Sequence, residues 1–199
     1  MNEYFSPSEL LINPDGSIYH LHLKPEHLAD KVMLVGDPDR VNLVATHLTD
    51  IECNVHNREF HTITGKYKGK RITVQGTGIG CDNIDIVLNE LDACANIDFQ
   101  KRELKKDFRQ LTIVRVGTCG GLQPNTSTGT FIASVKSIGF DGLLNFYGTR
   151  DEACDLKMEQ AFIRHMHWKR PTCIPYIVAS DEELLSGMWW IFRSARPST

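Results

Sequence analysis

The sequence predicts an α/β fold with a largely parallel, helix-covered sheet, and three observations carry that expectation. Short apolar runs end in glycine-containing loops, as in Val32-Met33-Leu34-Val35 before Gly36 and Leu111-Thr112-Ile113-Val114 before Gly117. Segments with apolar residues at helical spacing follow some of these loops. The 199 residues, 41% of them hydrophobic and 24% charged, suffice for one ordinary domain with a real core, so residues 1–199 are expected to form a single domain.

The first thirty residues read as a polar arm with one extended apolar patch, Ile18-Tyr19-His20-Leu21. Val32 to Val35 is a short buried strand stopped by Gly36-Asp37-Pro38. Proline suits a first helical turn, and Val41, Val44, Ala45 and Leu48 then share one face of a helix over 39–48. Residues 60–67 and 71–75 alternate like strands, with Lys68-Gly69 as the hairpin turn. After Gly76-Thr77-Gly78-Ile79-Gly80, Asp82 is a good N-cap for a helix carrying Ile84, Val87, Leu88, Leu91 and Ala95 at helical spacing. Residues 98–110 are highly charged and read as a solvated insertion or a helix extension. The run 111–114 reads as a strand buried on both faces. Beyond it, 129–135 reads as a strand, 153–166 as a helix, and 173–178 as a strand after Pro171. Met188-Trp189-Trp190-Ile191-Phe192 packs aromatics into a C-terminal helix, and the tail after it ends without a final element.

Several function classes are excluded. The net charge of −3 offers no global field for nucleic acid or an anionic membrane, so any anion site must be local. No run of eighteen apolar residues predicts a membrane span, and residues 1–11 lack the layout of a secretory signal. The six cysteines, at 53, 81, 94, 119, 154 and 173, form no CxxC pair and read as thiols of a reducing cytosol. Histidines show no metal spacing with a carboxylate partner, so no metal is expected. Gly76 to Gly80 has its third glycine too early for GxGxxG, which rejects a dinucleotide cofactor.

What remains is an anion cradle. Arg115-Val116-Gly117-Thr118-Cys119-Gly120-Gly121 places a cation, a hydroxyl and approachable backbone amides at the end of an apolar run. An arginine there is costly to bury without an anion to face it. Gly36-Asp37-Pro38-Asp39-Arg40 lies between strand and helix, where parallel sheets bind ligands, and adds a helix N-terminus and a bidentate fork. Taken alone, Arg40 fits a surface arginine equally well, and Arg58 fits a surface ion pair better. Alone, His20 reads as a solvated arm histidine, and Cys119 as a small lining residue rather than a nucleophile, since no histidine base is identifiable.

Together, Gly36-Asp37-Pro38-Asp39-Arg40-Val41, Asn57-Arg58-Glu59-Phe60, Gly76-Thr77-Gly78-Ile79-Gly80 and Arg115-Val116-Gly117-Thr118-Cys119-Gly120-Gly121 resemble, in order and spacing, the nucleoside phosphorylase superfamily, and within it the uridine phosphorylases. The resemblance covers residues from about 18 to 185. It implies a three-layer α/β/α sandwich around a mixed sheet, with a homodimer as the active unit and a hexamer built as a trimer of dimers. It implies cytoplasmic nucleoside salvage, in which uridine and phosphate give uracil and ribose 1-phosphate, with phosphate as co-substrate and no cofactor. Gly36, Arg40 and Arg115 would then bind phosphate, with Thr118 bridging phosphate and ribose. Arg58 would reach the partner's phosphate site and His20 the partner's ribose, while Cys119 and Gly120 would line the base pocket. A cationic trio favours phosphorolysis over hydrolysis by water.

Departures set the alternatives. Near Leu185 the resemblance stops, and the family's base-reading Gln-Arg pair and ribose-gripping Met-Glu segment have no match here. A C-terminal third is therefore expected to be missing, with weak or no turnover and exposed apolar surface. The competing readings are a phosphate-binding or oligomerising remnant and a purine-directed phosphorylase.

Overall fold

The computed structural model describes residues 4–170 and 173–194. The chain divides into two compact units, Met1–Cys119 and Gly120–Thr199.

In the first unit, β1 (Lys31–Val35) leads through a glycine turn into α1 (Pro38–Ala45). Asp37 caps that helix by accepting the Asp39 amide, and Pro38 occupies the first turn as the sequence predicts. Strands β2 (Thr49–Asn57), β3 (Phe60–Tyr67) and β4 (Lys70–Gly76) follow as a meander. Lys68 and Gly69 both adopt positive φ, 49° and 77°, the signature of a tight primed hairpin turn. Helix α2 (Cys81–Asn96) is next, then a short hairpin of β5 (Ile97–Asp98) and β6 (Glu103–Leu104), and β7 (Thr112–Val116). Of the two expectations for residues 98–110, the insertion holds and the helix extension does not, because Asp98 accepts the amides of Gln100 and Lys101 and turns the chain back.

The main sheet has the order β2-β3-β4-β1-β7. β1 pairs in parallel with both β4 and β7, whereas β2–β3 and β3–β4 are antiparallel. The sheet is therefore mixed rather than largely parallel, and residues 49–57, unassigned from sequence, supply one of its edges. Alternation along β1 builds both covering layers. Val32 and Leu34 pack with Val87 and Leu91 of α2 and with Leu21, Leu23 and Leu28 of the arm. Val35, with Met33, packs against Val41 of α1, Val74 and Ile63. Helices thus lie on opposite faces of the sheet. Burial of such aliphatic side chains contributes about 1.5–3 kcal/mol each.

The interior also holds a polar ladder on β3 and β4. Thr62 donates to Gln75 at 2.5 Å, Gln75 donates to the Gly76 carbonyl, and Thr64 pairs with Thr73 at 2.8 Å. All four side chains are fully buried and partnered, so they impose register without orphaned polar atoms.

Two local expectations are corrected. β7 is an edge strand, so Thr112, Arg115 and Val116 are exposed instead of buried on both faces. Helix α2 is capped by Gly80, not Asp82. The turn out of β4 needs φ 108° and ψ 159° at that position, a region open essentially only to glycine.

In the second unit, β8 (Lys136–Gly139) pairs antiparallel with β9 (Tyr176–Ala179). The strand expected over 129–135 is displaced to 136–139, where the ladder to β9 forms. The helix expected over 153–166 forms as α4 (Leu156–His165), set off by a break from the short α3 (Arg150–Ala153) before it. The break arises because the Asp155 amide donates to the Ile177 carbonyl while its side chain caps α4 at Met158. Buried Glu159 accepts from the Ile177 amide and from Arg150, which ties α3, α4 and β9 together. Helix α5 (Glu182–Ser194) carries the aromatic run and takes in Arg193 and Ser194, the start of the tail over 193–199 expected to lack an element; Pro171 and residues 195–199 lie outside the described residues. Leu122, Phe131 and Phe146 are at least three-quarters exposed.

Gly80→Ala is expected to lower stability by about 1–3 kcal/mol, because the added Cβ meets the Asp82 carboxylate and alanine disfavours this φ. Urea denaturation of the purified chain checks this.

Candidate active site

Sheet direction gathers the sequence motifs. β4, β1 and β7 run parallel and adjacent, so Thr77, Gly36 and Gly117 all follow carboxyl ends at one edge of the sheet. β3 runs the other way, with His61 opposite Gly76, so the β2–β3 turn holding Arg58 lies at that same edge. Carboxyl ends of parallel strands are where open α/β sheets bind ligands.

Arg115 stands opposite Leu34 on β1. Its guanidinium folds back over Gly117, where a Cβ would lie 2.9 Å from Nη1, and reaches toward Gly36, where a Cβ would lie 3.5 Å from Nη2. The cation therefore occupies space that Gly117 leaves open. Arg40 sits in the first turn of α1, half-buried, with its amide donating to the Asp37 carbonyl at 3.1 Å. The positive end of α1 and the Arg40 side chain thus belong to the same loop as Gly36.

The six arginines of the first unit fall into two kinds. Arg71 is held by Glu52 and two carbonyls, Arg102 by three carbonyls of the arm, and Arg109 by Asp30 and the Leu28 carbonyl. Arg40, Arg58 and Arg115 make no side-chain hydrogen bond or ion pair among the described residues. Those three are the arginines that the motifs nominate. Unpaired guanidiniums beside backbone amides can hold an oxyanion by charge-assisted, bidentate hydrogen bonds.

The three do not share one cradle within a protomer. Arg58, at φ 54°, carries its guanidinium carbon to 5.9 Å from the Tyr19 ring. From the β2–β3 turn to β7 is roughly 15–20 Å at the usual strand spacing. Arg58 instead joins His20. Tyr19 packs edge-on against the His20 ring with centroids 4.8 Å apart, and Asn57, beside Arg58, donates to the His20 carbonyl at 2.8 Å.

His20 is not the solvated arm histidine that its local sequence suggests. Glu90 of α2 accepts from its backbone amide at 3.0 Å, from the Leu21 amide at 2.8 Å, and pairs with its Nδ1 at 2.7 Å. Sequence reasoning missed Glu90. Nothing in the helix pattern distinguishes it from a solvated glutamate, and the contact spans seventy positions.

Thr118 and Cys119 are exposed beyond β7 at the end of the first unit, while Gly120, also exposed, opens the second. Burial pushes the Cys94 thiol well above the usual cysteine range, whereas Cys81 and Cys119 are exposed free thiols. Among the described residues no three His, Cys, Asp or Glu side chains gather as metal ligands, and no helix is long and apolar enough to cross a membrane.

The family model of the phosphorylase superfamily matches residues 30–188. The chain belongs to the phosphorylase superfamily. Among curated phosphorylases, a DeoD-type purine nucleoside phosphorylase of Thermoanaerobacter pseudethanolicus is 34% identical over 119 residues, 59% of this chain and 46% of its own. A uridine phosphorylase of Thermococcus kodakarensis is 33% identical over 147 residues, 74% of this chain and 48% of its own. The crystal structure of a Trypanosoma brucei nucleoside phosphorylase, described as showing uridine phosphorylase activity, superposes with a TM-score of 0.76 at 28% identity, covering 95% of this chain and 64% of that one. The chain thus has the nucleoside-phosphorylase-like α/β fold with its mixed central sheet. It spans about half the length of the curated relatives it matches.

Under native conditions a thiol reagent is expected to modify Cys81 and Cys119 fast and Cys94 only on unfolding, as peptide mapping by mass spectrometry would show. Gly117→Ala is expected to displace the Arg115 guanidinium at little cost in stability, since the clash is with the far end of a flexible side chain. A shifted Arg115 side-chain ¹⁵N resonance with an unchanged thermal midpoint checks it.

Proposed function

We propose that this chain forms the phosphate- and ribose-binding part of a uridine phosphorylase, cleaving uridine by phosphate to uracil and ribose 1-phosphate. The observation that carries the reading is the set of unpaired guanidiniums at one sheet edge. Phosphorolysis demands positioning and charge more than covalent help, because phosphate attacks C1′ as the glycosidic bond breaks with oxocarbenium character. In this reading Gly36, Arg40 and Arg115 hold the phosphate and Thr118 bridges it to the ribose, with Cys119 and Gly120 against the base. Arg58 and His20, clustered together and away from Arg115, serve the site of a second copy, which makes a homodimer the active unit and a trimer of dimers its larger assembly. Phosphate is a co-substrate, no cofactor takes part, and the setting is cytoplasmic nucleoside salvage.

Uridine is supported by the Thermococcus relative, which matches the larger share of this chain, and by the Trypanosoma structure. A purine nucleoside is the second reading, supported by DeoD-type relatives of equal identity. Calorimetric titration with phosphate, uridine and inosine separates them. Tighter binding of uridine than inosine in the presence of phosphate is expected; the reverse order turns the reading to purines, and phosphate binding alone turns it to a non-catalytic remnant.

Arg115→Ala is expected to weaken phosphate binding about 10- to 150-fold, the equivalent of one charge-assisted contact of about 1.5–3 kcal/mol. Arg71→Ala, which removes a structural arginine, should lower the unfolding midpoint and leave phosphate affinity in place. Equal phosphate affinity in Arg115→Ala and the parent chain would sink the cradle.

A further inference from the structure

Glu90 has no part in the reading above, yet its carboxylate accepts from two backbone amides of the arm and pairs with the His20 ring. Its side chain is 12% exposed and that of His20 is 26% exposed. Both carboxylate oxygens accept from the His20 amide, at 3.0 and 3.1 Å, and one of them also accepts from the Leu21 amide. With its oxygens so engaged as acceptors, a carboxylate offers only an acceptor to the imidazole. The 2.7 Å contact at Nδ1 therefore requires the proton to sit on Nδ1.

We propose that Glu90 is a positioning residue that fixes His20 as the Nδ1–H tautomer and presents Nε2 as a hydrogen-bond acceptor for a ligand hydroxyl. Nε2 has no partner among the described residues, and the ring keeps open surface. Three further contacts hold it in place: Tyr19 packs edge-on against the ring, Asn57 binds the His20 carbonyl, and the buried Ile18 and Leu21 flank the segment. An imidazole with its Nδ1 proton committed to a carboxylate can accept from a hydroxyl at Nε2 but cannot donate there while neutral. The ligand group it selects is thus a donor, and on the nucleoside reading, on which this step rests, that donor is the ribose 5′-hydroxyl. Glu90 touches no substrate; it acts through His20.

Long-range ¹H–¹⁵N correlation spectra of the full chain at alkaline pH, where imidazole is neutral, read the tautomer directly. The Nδ1–H form of His20 is expected in the parent chain. In Glu90→Gln the amide can donate to Nδ1, so a shift to the Nε2–H form or a mixture is expected while core amide peaks stay in place. An Nε2–H tautomer in the parent chain overturns the proposal, and so does an unchanged tautomer in the variant. The parent spectrum decides even if the variant fails to fold. Binding supplies the second arm. Glu90→Gln is expected to lose about tenfold in affinity for uridine, one hydrogen bond's worth, and nothing for 5′-deoxyuridine. Equal loss for both ligands means a purely structural role and overturns the proposal. The expected tautomer in a parent chain that binds neither nucleoside supports Glu90 as the group that sets it and overturns the nucleoside reading instead.

Discussion

A guanidinium in a folded protein is held by a carboxylate, by carbonyls, by water or by something the protein binds, and the arginines of the first unit divide into those the chain itself holds and those it leaves open. Arg71, Arg102 and Arg109 fasten the arm and the segment before β1, each through partners contributed by the chain itself. Among the described residues, Arg40, Arg58 and Arg115 are left without such partners at the edge where the carboxyl ends of β4, β1 and β7 meet the β2–β3 turn. The mixed sheet is what makes this possible. Reversal of strand direction between β4 and β3 brings a turn from the antiparallel half to the same edge as loops from the parallel half.

The same sheet separates the cations as well as collecting them. Arg115 bends over Gly117 toward Gly36, whereas Arg58 turns onto Tyr19 beside His20. The two guanidiniums therefore lie in separate surroundings within one protomer. The proposed dimeric active unit takes its rationale from that separation. Membership of the phosphorylase superfamily rests on the match over residues 30–188, and the choice of nucleoside rests on the relatives.

Much of the fold was legible locally. Asp37-Pro38 announces its helix because capping and a fixed φ are properties of adjacent residues, and Lys68-Gly69 announces its hairpin for the same reason. The strand at 49–57 was missed although Ile51, Cys53 and Val55 alternate with polar residues, because only Cys53 is buried and the alternation is diluted by exposure. The run 111–114 looked doubly buried, yet burial depends on what covers a strand, and β7 is an edge. The helix expected over 153–166 starts only at Leu156 because the Ile177 carbonyl of β9 takes the Asp155 amide.

By itself the sequence determined the α/β class, the identities of the arginines and glycines at the loops, and the family they resemble, since these follow from residue type, short-range periodicity and motif order. Tertiary structure alone decided which arginines are structural and which are unpaired, that Arg58 stands with His20 rather than with Arg115, and that Glu90 holds His20. The reason is distance along the chain. A hydrogen bond between positions 20 and 90 leaves no periodic trace in either neighbourhood, so it becomes visible only when the fold sets the two side by side.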